Sequence, residues 1–106
     1  MSENKTKTYV IDIDGTICSK TSAGNYKDSL PLTERIEAIN KLHSLGNTII
    51  YFTARGMGRT NNNVKKSNEL FYDFTRQQLD RWGAHYDLLM LGKPSADISI
   101  DRDWET

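Results

Sequence analysis

The stretch Tyr9-Val10-Ile11-Asp12-Ile13-Asp14-Gly15-Thr16 decides how the rest of the chain is read. Its apolar, β-branched residues form a run too short for a helix, and Gly15 supplies a turn signal after it, so a strand is expected there. The almost continuously apolar interior suits a central strand covered on both faces. Two carboxylates, Asp12 and Asp14, then stand at the end of that strand.

Beyond it, residues 18–29 are rich in Ser, Thr, Asn and Gly and predict a loop or a small hairpin. Ile36, Ile39, Leu42 and Leu45 recur at helical spacing, with Pro31 suited to the first turn and Gly46 to the stop, which predicts a helix over 31–45. Thr48-Ile49-Ile50-Tyr51-Phe52 reads as a second strand, closed by Thr53-Ala54-Arg55-Gly56. A Gly- and Asn-rich loop leads to a helix over 64–82, whose expected buried stripe is Leu70, Phe71, Phe74, Leu79 and Trp82. Residues 86–91 predict a third strand, followed by Gly92-Lys93-Pro94, and residues 97–101 a fourth. Strands alternating with helices predict an α/β sandwich with a mainly parallel sheet.

The chain has 106 residues, enough for one domain and one thin sheet covered by helices. Fourteen Lys and Arg balance fourteen Asp and Glu, so nothing draws the chain as a whole to nucleic acid or anionic membrane. No apolar run is long enough to span a bilayer, and residues 1–8 lack the apolar core of a signal peptide. A single cysteine, Cys18, excludes an intramolecular disulfide and a cysteine-based zinc site. A soluble, cytoplasmic protein is expected, with a flexible N-terminus over 1–8.

Polar residues gather where the predicted strands stop: Asp12 and Asp14, Thr53, Lys93 and Asp101. In a parallel sheet those ends share one edge, where open α/β sheets bind ligands. Clustered carboxylates repel one another unless a cation sits among them. Hard oxygen donors beside a phosphate suit Mg²⁺.

The segments Val10–Thr16, Ile50–Arg55, Gly92–Pro94 and Ile98–Asp101 resemble, in order, the four motifs of the haloacid dehalogenase superfamily, the aspartate-nucleophile phosphohydrolases. The likeness spans nearly the whole chain and is nearest to small bacterial and phage members associated with capsule or surface-polysaccharide genes. It implies a minimal Rossmann-like, three-layer catalytic domain over 9–106 with no cap domain. The reaction implied is phosphomonoester hydrolysis, on a sugar phosphate or similar small metabolite. Residue by residue, the resemblance implies that Asp12 is the nucleophile and Asp14 the general acid and base. Thr53 and Lys93 would hold the phosphoryl oxygens, and Asp12, the Asp14 carbonyl and Asp101 would bind Mg²⁺. Arg55 is a further candidate for a substrate-phosphate contact. At the fourth motif Asp101 is followed by Arg102 and then Asp103, which makes Asp103 an alternative acid.

Other readings stand beside this one. An open site also suits a nucleic-acid end phosphatase, which the neutral charge disfavours. A non-catalytic phosphoacceptor module also clusters acids, a Thr and a Lys at strand ends, but its acid pair does not lie in a D-x-D on the first strand. His43 and His85 are expected at the surface or in the core rather than as ligands, and Cys18 as structural. With no fifth strand, the edge is either minimal or completed by a partner, and self-association is expected.

Overall fold

The computed structural model describes residues 5–94. Strand β1 (Thr8–Ile11) leads to helix α1 (Thr33–Ser44), strand β2 (Thr48–Thr53), helix α2 (Val64–Arg81) and strand β3 (Leu88–Leu91). The sheet has the order β1-β2-β3 and is parallel throughout, with Thr8 opposite Thr48 and Ile50 opposite Leu88. The α/β architecture with a parallel sheet is the one expected. The predicted fourth strand and Asp101 lie outside the described residues.

Successive strands stepping in one direction across a sheet put their crossover helices on the same face. The core agrees: Ile36 of α1 and Leu79 of α2 share one cluster with Ile49, Tyr51, Leu89 and Leu91. Among the described residues the opposite face stays open, with Val10 61% exposed and Leu88 and Met90 close to half exposed. The expectation of a central first strand covered on both faces is therefore not met within these residues. There β2 is central and β1 lies at an edge.

Element ends differ from the expected ones for local reasons. β1 stops at Ile11 because the chain turns immediately after it: Asp12 Oδ1 accepts the Ile13 amide, and the Ile13 carbonyl accepts the amides of Thr16 and Ile17. Gly15, at φ +84°, supplies the left-handed residue of this turn. Pro31 bridges to Cys18 instead of opening α1. The 18–29 segment forms two short 3-10 turns, Ser22–Gly24 and Tyr26–Asp28, rather than a hairpin. β3 begins at Leu88 because Asp87 closes the ladder with its side chain, Oδ2 accepting the Ile49 amide at 2.8 Å.

Helix α2 is capped by Asn63, whose Oδ1 accepts the Lys66 amide at 2.9 Å. Its buried face keeps Leu79 of the predicted stripe, with Phe71 and Trp82 packed against the core, but leaves out Leu70 and takes in polar residues. Leu70 is 54% exposed, while Ser67, Thr75, Gln78 and Leu79 are buried. Polar side chains take inward positions on α2 because the β2–α2 loop presents polar groups to them. No helix among the described residues is long and apolar enough to cross a membrane.

Candidate active site at the strand ends

Asp12 follows β1, Thr53 ends β2 and Lys93 follows β3, so one edge of the sheet carries all of them. Lys93 Nζ lies 3.3 Å from Asp12 Oδ2, and both side chains are partly open to solvent. The Lys93 amide donates to the Thr53 carbonyl at 3.2 Å, which fixes the turn carrying the lysine against β2. Thr53 itself is buried, and its Oγ1 accepts the Arg55 amide at 3.2 Å. The structure thus brings Asp12, Thr53 and Lys93 together. Of Asp101, the remaining residue expected at this edge, nothing is described.

Asp14 is turned toward Arg55. The guanidinium holds it by two parallel bonds, Nε to Oδ2 and Nη2 to Oδ1, each 2.9 Å long. Arg55 is a fully buried cation, and its other donors reach Gln78 Oε1 at 2.7 Å and Thr75 Oγ1 at 3.3 Å. The Tyr26 ring lies 4.7 Å from its Cζ, and the Tyr26 hydroxyl accepts the Gly56 amide at 3.0 Å. Gly56 sits at φ +81°, and a Cβ there would come within 2.6 Å of Phe71, so the chain after Arg55 can pass α2 this closely only as glycine. These positions bury Arg55 behind Asp14 with its donors taken by protein groups, and do not leave it open for the substrate-phosphate contact for which it is a candidate in the sequence.

The supporting residues Tyr26, Thr75 and Gln78 were missed by sequence reasoning. The available signal was on α2, where Thr75 and Gln78 follow Phe71 at helical spacing and interrupt an otherwise apolar stripe.

Cys18 is buried beside this network, its thiol 3.6 Å from both the Ile13 carbonyl and Asp14 Oδ1. Burial, then the Asp14 carboxylate, pushes the thiol up from 9.0 to about 11, with Arg55 opposing. Such a thiol stays protonated and unreactive at neutral pH, in keeping with a structural role. The sign of the pH effect follows directly. The folded state keeps its proton where the unfolded chain loses it, so the stabilisation is complete below about pH 9 and disappears as pH rises through about 11. Denaturant titrations at pH 8 and 11 should show the parent losing on the order of 1–2 kcal/mol more than Cys18→Ala across that interval. Equal losses would show that the thiol does not contribute.

His43 pairs with Asp87 at 3.4 Å and lies edge-on to His85, both near the start of β3 and therefore at the opposite end of the sheet from Asp12. In the loop after Arg55, Arg59 stacks over Phe71 at 5.2 Å and lines a cleft of about 270 Å³ with Tyr26, Lys27 and Phe74.

The donors offered by Asp12 and by the Asp14 backbone are all oxygens, the chemistry that Mg²⁺ takes. Asp12 is open enough to receive it, its side chain being 40% exposed. Among the described residues no group of three or more acidic, His or Cys side chains converges, so a second carboxylate for such an ion would have to come from outside them.

No family model and no curated protein matches the chain. Two solved structures do. A crystal structure of a structural-genomics target from Vibrio cholerae superposes with a TM-score of 0.82 at 31% identity, covering 91% of this chain and 80% of that one. A D,D-heptose 1,7-bisphosphate phosphatase from B. bronchiseptica, solved with magnesium and phosphate, superposes with a TM-score of 0.57 at 19% identity. That match covers 87% of this chain but only 52% of the other, so this chain spans about half the length of the B. bronchiseptica enzyme. By identity and coverage, this protein belongs to the same family as the Vibrio cholerae protein, and its α/β fold is of the haloacid dehalogenase type.

Proposed function

We propose that the protein is a Mg²⁺-dependent phosphomonoester hydrolase that works through an aspartyl-phosphate, on a sugar phosphate or similar small metabolite. The observation that carries this reading is the Asp12–Lys93 pair at the strand-end edge, with Thr53 beside it and Asp14 two residues from the nucleophile. The likeness to a magnesium- and phosphate-bound sugar bisphosphate phosphatase supports it at the level of fold.

In the first step an Asp12 carboxylate oxygen attacks phosphorus, and a P–O bond forms as the ester P–O bond breaks. The departing oxygen keeps the bonding electrons and receives a proton from Asp14. In the second step Asp14 removes a proton from water, the water oxygen bonds to phosphorus, and the bond to Asp12 breaks to restore the carboxylate. Lys93 and Thr53 hold the phosphoryl oxygens, and Lys93 also offsets the repulsion between Asp12 and an incoming dianion. Mg²⁺ would be held by the Asp12 carboxylate, the Asp14 carbonyl and Asp101, and supplies positive charge to the phosphoryl group.

A panel of phosphorylated metabolites and p-nitrophenyl phosphate, assayed with Mg²⁺ or with EDTA, tests this reading. Repeated turnover is expected only with Mg²⁺, falling by more than about 100-fold on chelation and returning when the metal is restored. A single stoichiometric transfer would instead identify a phosphoacceptor module. Asp101→Ala should raise the Mg²⁺ needed for half-maximal rate much more than Asp103→Ala does. Equal effects, or a larger one at Asp103, would overturn the choice of Asp101.

A further inference from the structure

The geometry points to Arg55 as a positioning residue that fixes the Asp14 carboxylate for proton transfer, an inference that rests on the phosphatase reading above. A guanidinium has five N–H donors. Here Nε and one Nη2 hydrogen go to Asp14, and the Nη1 hydrogens face Gln78 Oε1 and Thr75 Oγ1. The remaining Nη2 hydrogen faces Cys18 Sγ at 3.9 Å. With the side chain fully buried, no donor is left for a substrate phosphate.

Burying a cation is costly unless its partners are well placed, and here they are built in layers. Gln78 receives Arg55 with one end of its amide and donates with the other to the Tyr26 carbonyl at 2.8 Å. Tyr26 stacks on the guanidinium from the loop that follows the first motif. Helix α2 and that loop therefore grip Arg55 from two sides, and Arg55 in turn grips Asp14. A planar fork of this kind fixes both the direction and the rotation of a carboxylate, which a single ammonium contact cannot do.

The two Asp14 oxygens are not equivalent. Oδ1 accepts from Arg55 and also lies within reach of the Cys18 thiol, whereas Oδ2 accepts from Arg55 Nε. Oδ2 thus keeps a second lone pair, on a side chain that is 22% exposed. Oδ2 is the oxygen assigned to exchange the proton with the leaving group and with water. Arg55 keeps it there.

The test exploits leaving-group chemistry. A p-nitrophenolate leaves without much help from an acid, whereas an alkoxide needs the proton. The readout is the ratio of kcat/KM for p-nitrophenyl phosphate to that for the best alkyl phosphate of the metabolite panel. That ratio does not depend on the fraction of a variant that is folded. Asp14→Asn sets the scale and should raise the ratio by about 100-fold or more. Arg55→Lys keeps the charge but loses the fork, and should raise it by at least about tenfold. Gln78→Leu leaves Arg55 in place with one support removed, and should raise it by roughly threefold, which keeps the test decisive if Arg55→Lys does not fold. A ratio that moves in Asp14→Asn but stays at the parent value in Gln78→Leu and in folded Arg55→Lys would overturn the positioning role and leave the phosphatase reading standing. A parent protein that turns over neither ester would remove both.

Discussion

On the covalent route proposed above, Asp12→Asn is expected to lower Mg²⁺-dependent turnover by a factor on the order of 10⁴ or more, because loss of the nucleophile removes the reaction path and not one contact among many. The amide keeps the size of the side chain, and its oxygen can still accept the Ile13 amide that ends β1, so the turn at Gly15 persists. The Asp12–Lys93 pair is lost, but both side chains are partly solvated, and pairs of that kind contribute about 1 kcal/mol or less. The variant should therefore melt within a few degrees of the parent while forming no acid-stable phosphoryl-enzyme on rapid quenching. Near-parental hydrolysis by Asp12→Asn would rule out the covalent route.

The largest expected loss of stability comes from Leu79→Ala. Leu79 is fully buried where α2 meets the sheet, in contact with the cluster that includes Tyr51 and Leu89. Removing its branched end leaves a cavity that neighbouring strands cannot close, at a cost of about 2–5 kcal/mol. For a domain of this size that lowers the melting temperature by roughly 10–25 °C. The contrasting substitution on the same helix is Leu70→Ala. Leu70 is 54% exposed, and its truncation should change stability by no more than about 0.5–1 kcal/mol. Similar losses at the two positions would show that the buried face of α2 is not the one described here.

That contrast also marks how far the sequence could be read. The apolar period located α2 almost to the residue, yet it placed Leu70 in the stripe, because periodicity sees hydrophobicity and not the polar demand of a neighbouring loop. Thr75 and Gln78 face inward only because Arg55 arrives between them and Asp14 from another element. The strand-end residues Asp12, Thr53 and Lys93 were legible for the opposite reason. Each is positioned by its own strand and the turn after it, and a parallel sheet then aligns the three. Arg55 is a candidate phosphate contact in the sequence because it opens a basic stretch with Arg59, Lys65 and Lys66. Its burial depends on Tyr26 and α2, contacts that no local pattern encodes.

The register of the sheet has a kinetic meaning. Thr8 pairs with Thr48 and Ile50 with Leu88, partners about 40 residues apart, and no two strands of the described sheet are joined by a hairpin. Every ladder must therefore close a long loop before its contacts repay the lost chain entropy, which favours collapse around α1 and α2 before the strands align. The two residues that meet at 3.3 Å in the site, Asp12 and Lys93, stand at the far ends of that process, with both ladders between them. Return of the proposed hydrolytic activity after dilution from denaturant should consequently lag the return of far-ultraviolet helical signal. Simultaneous recovery of the two signals would indicate instead that sheet and helices form in one step.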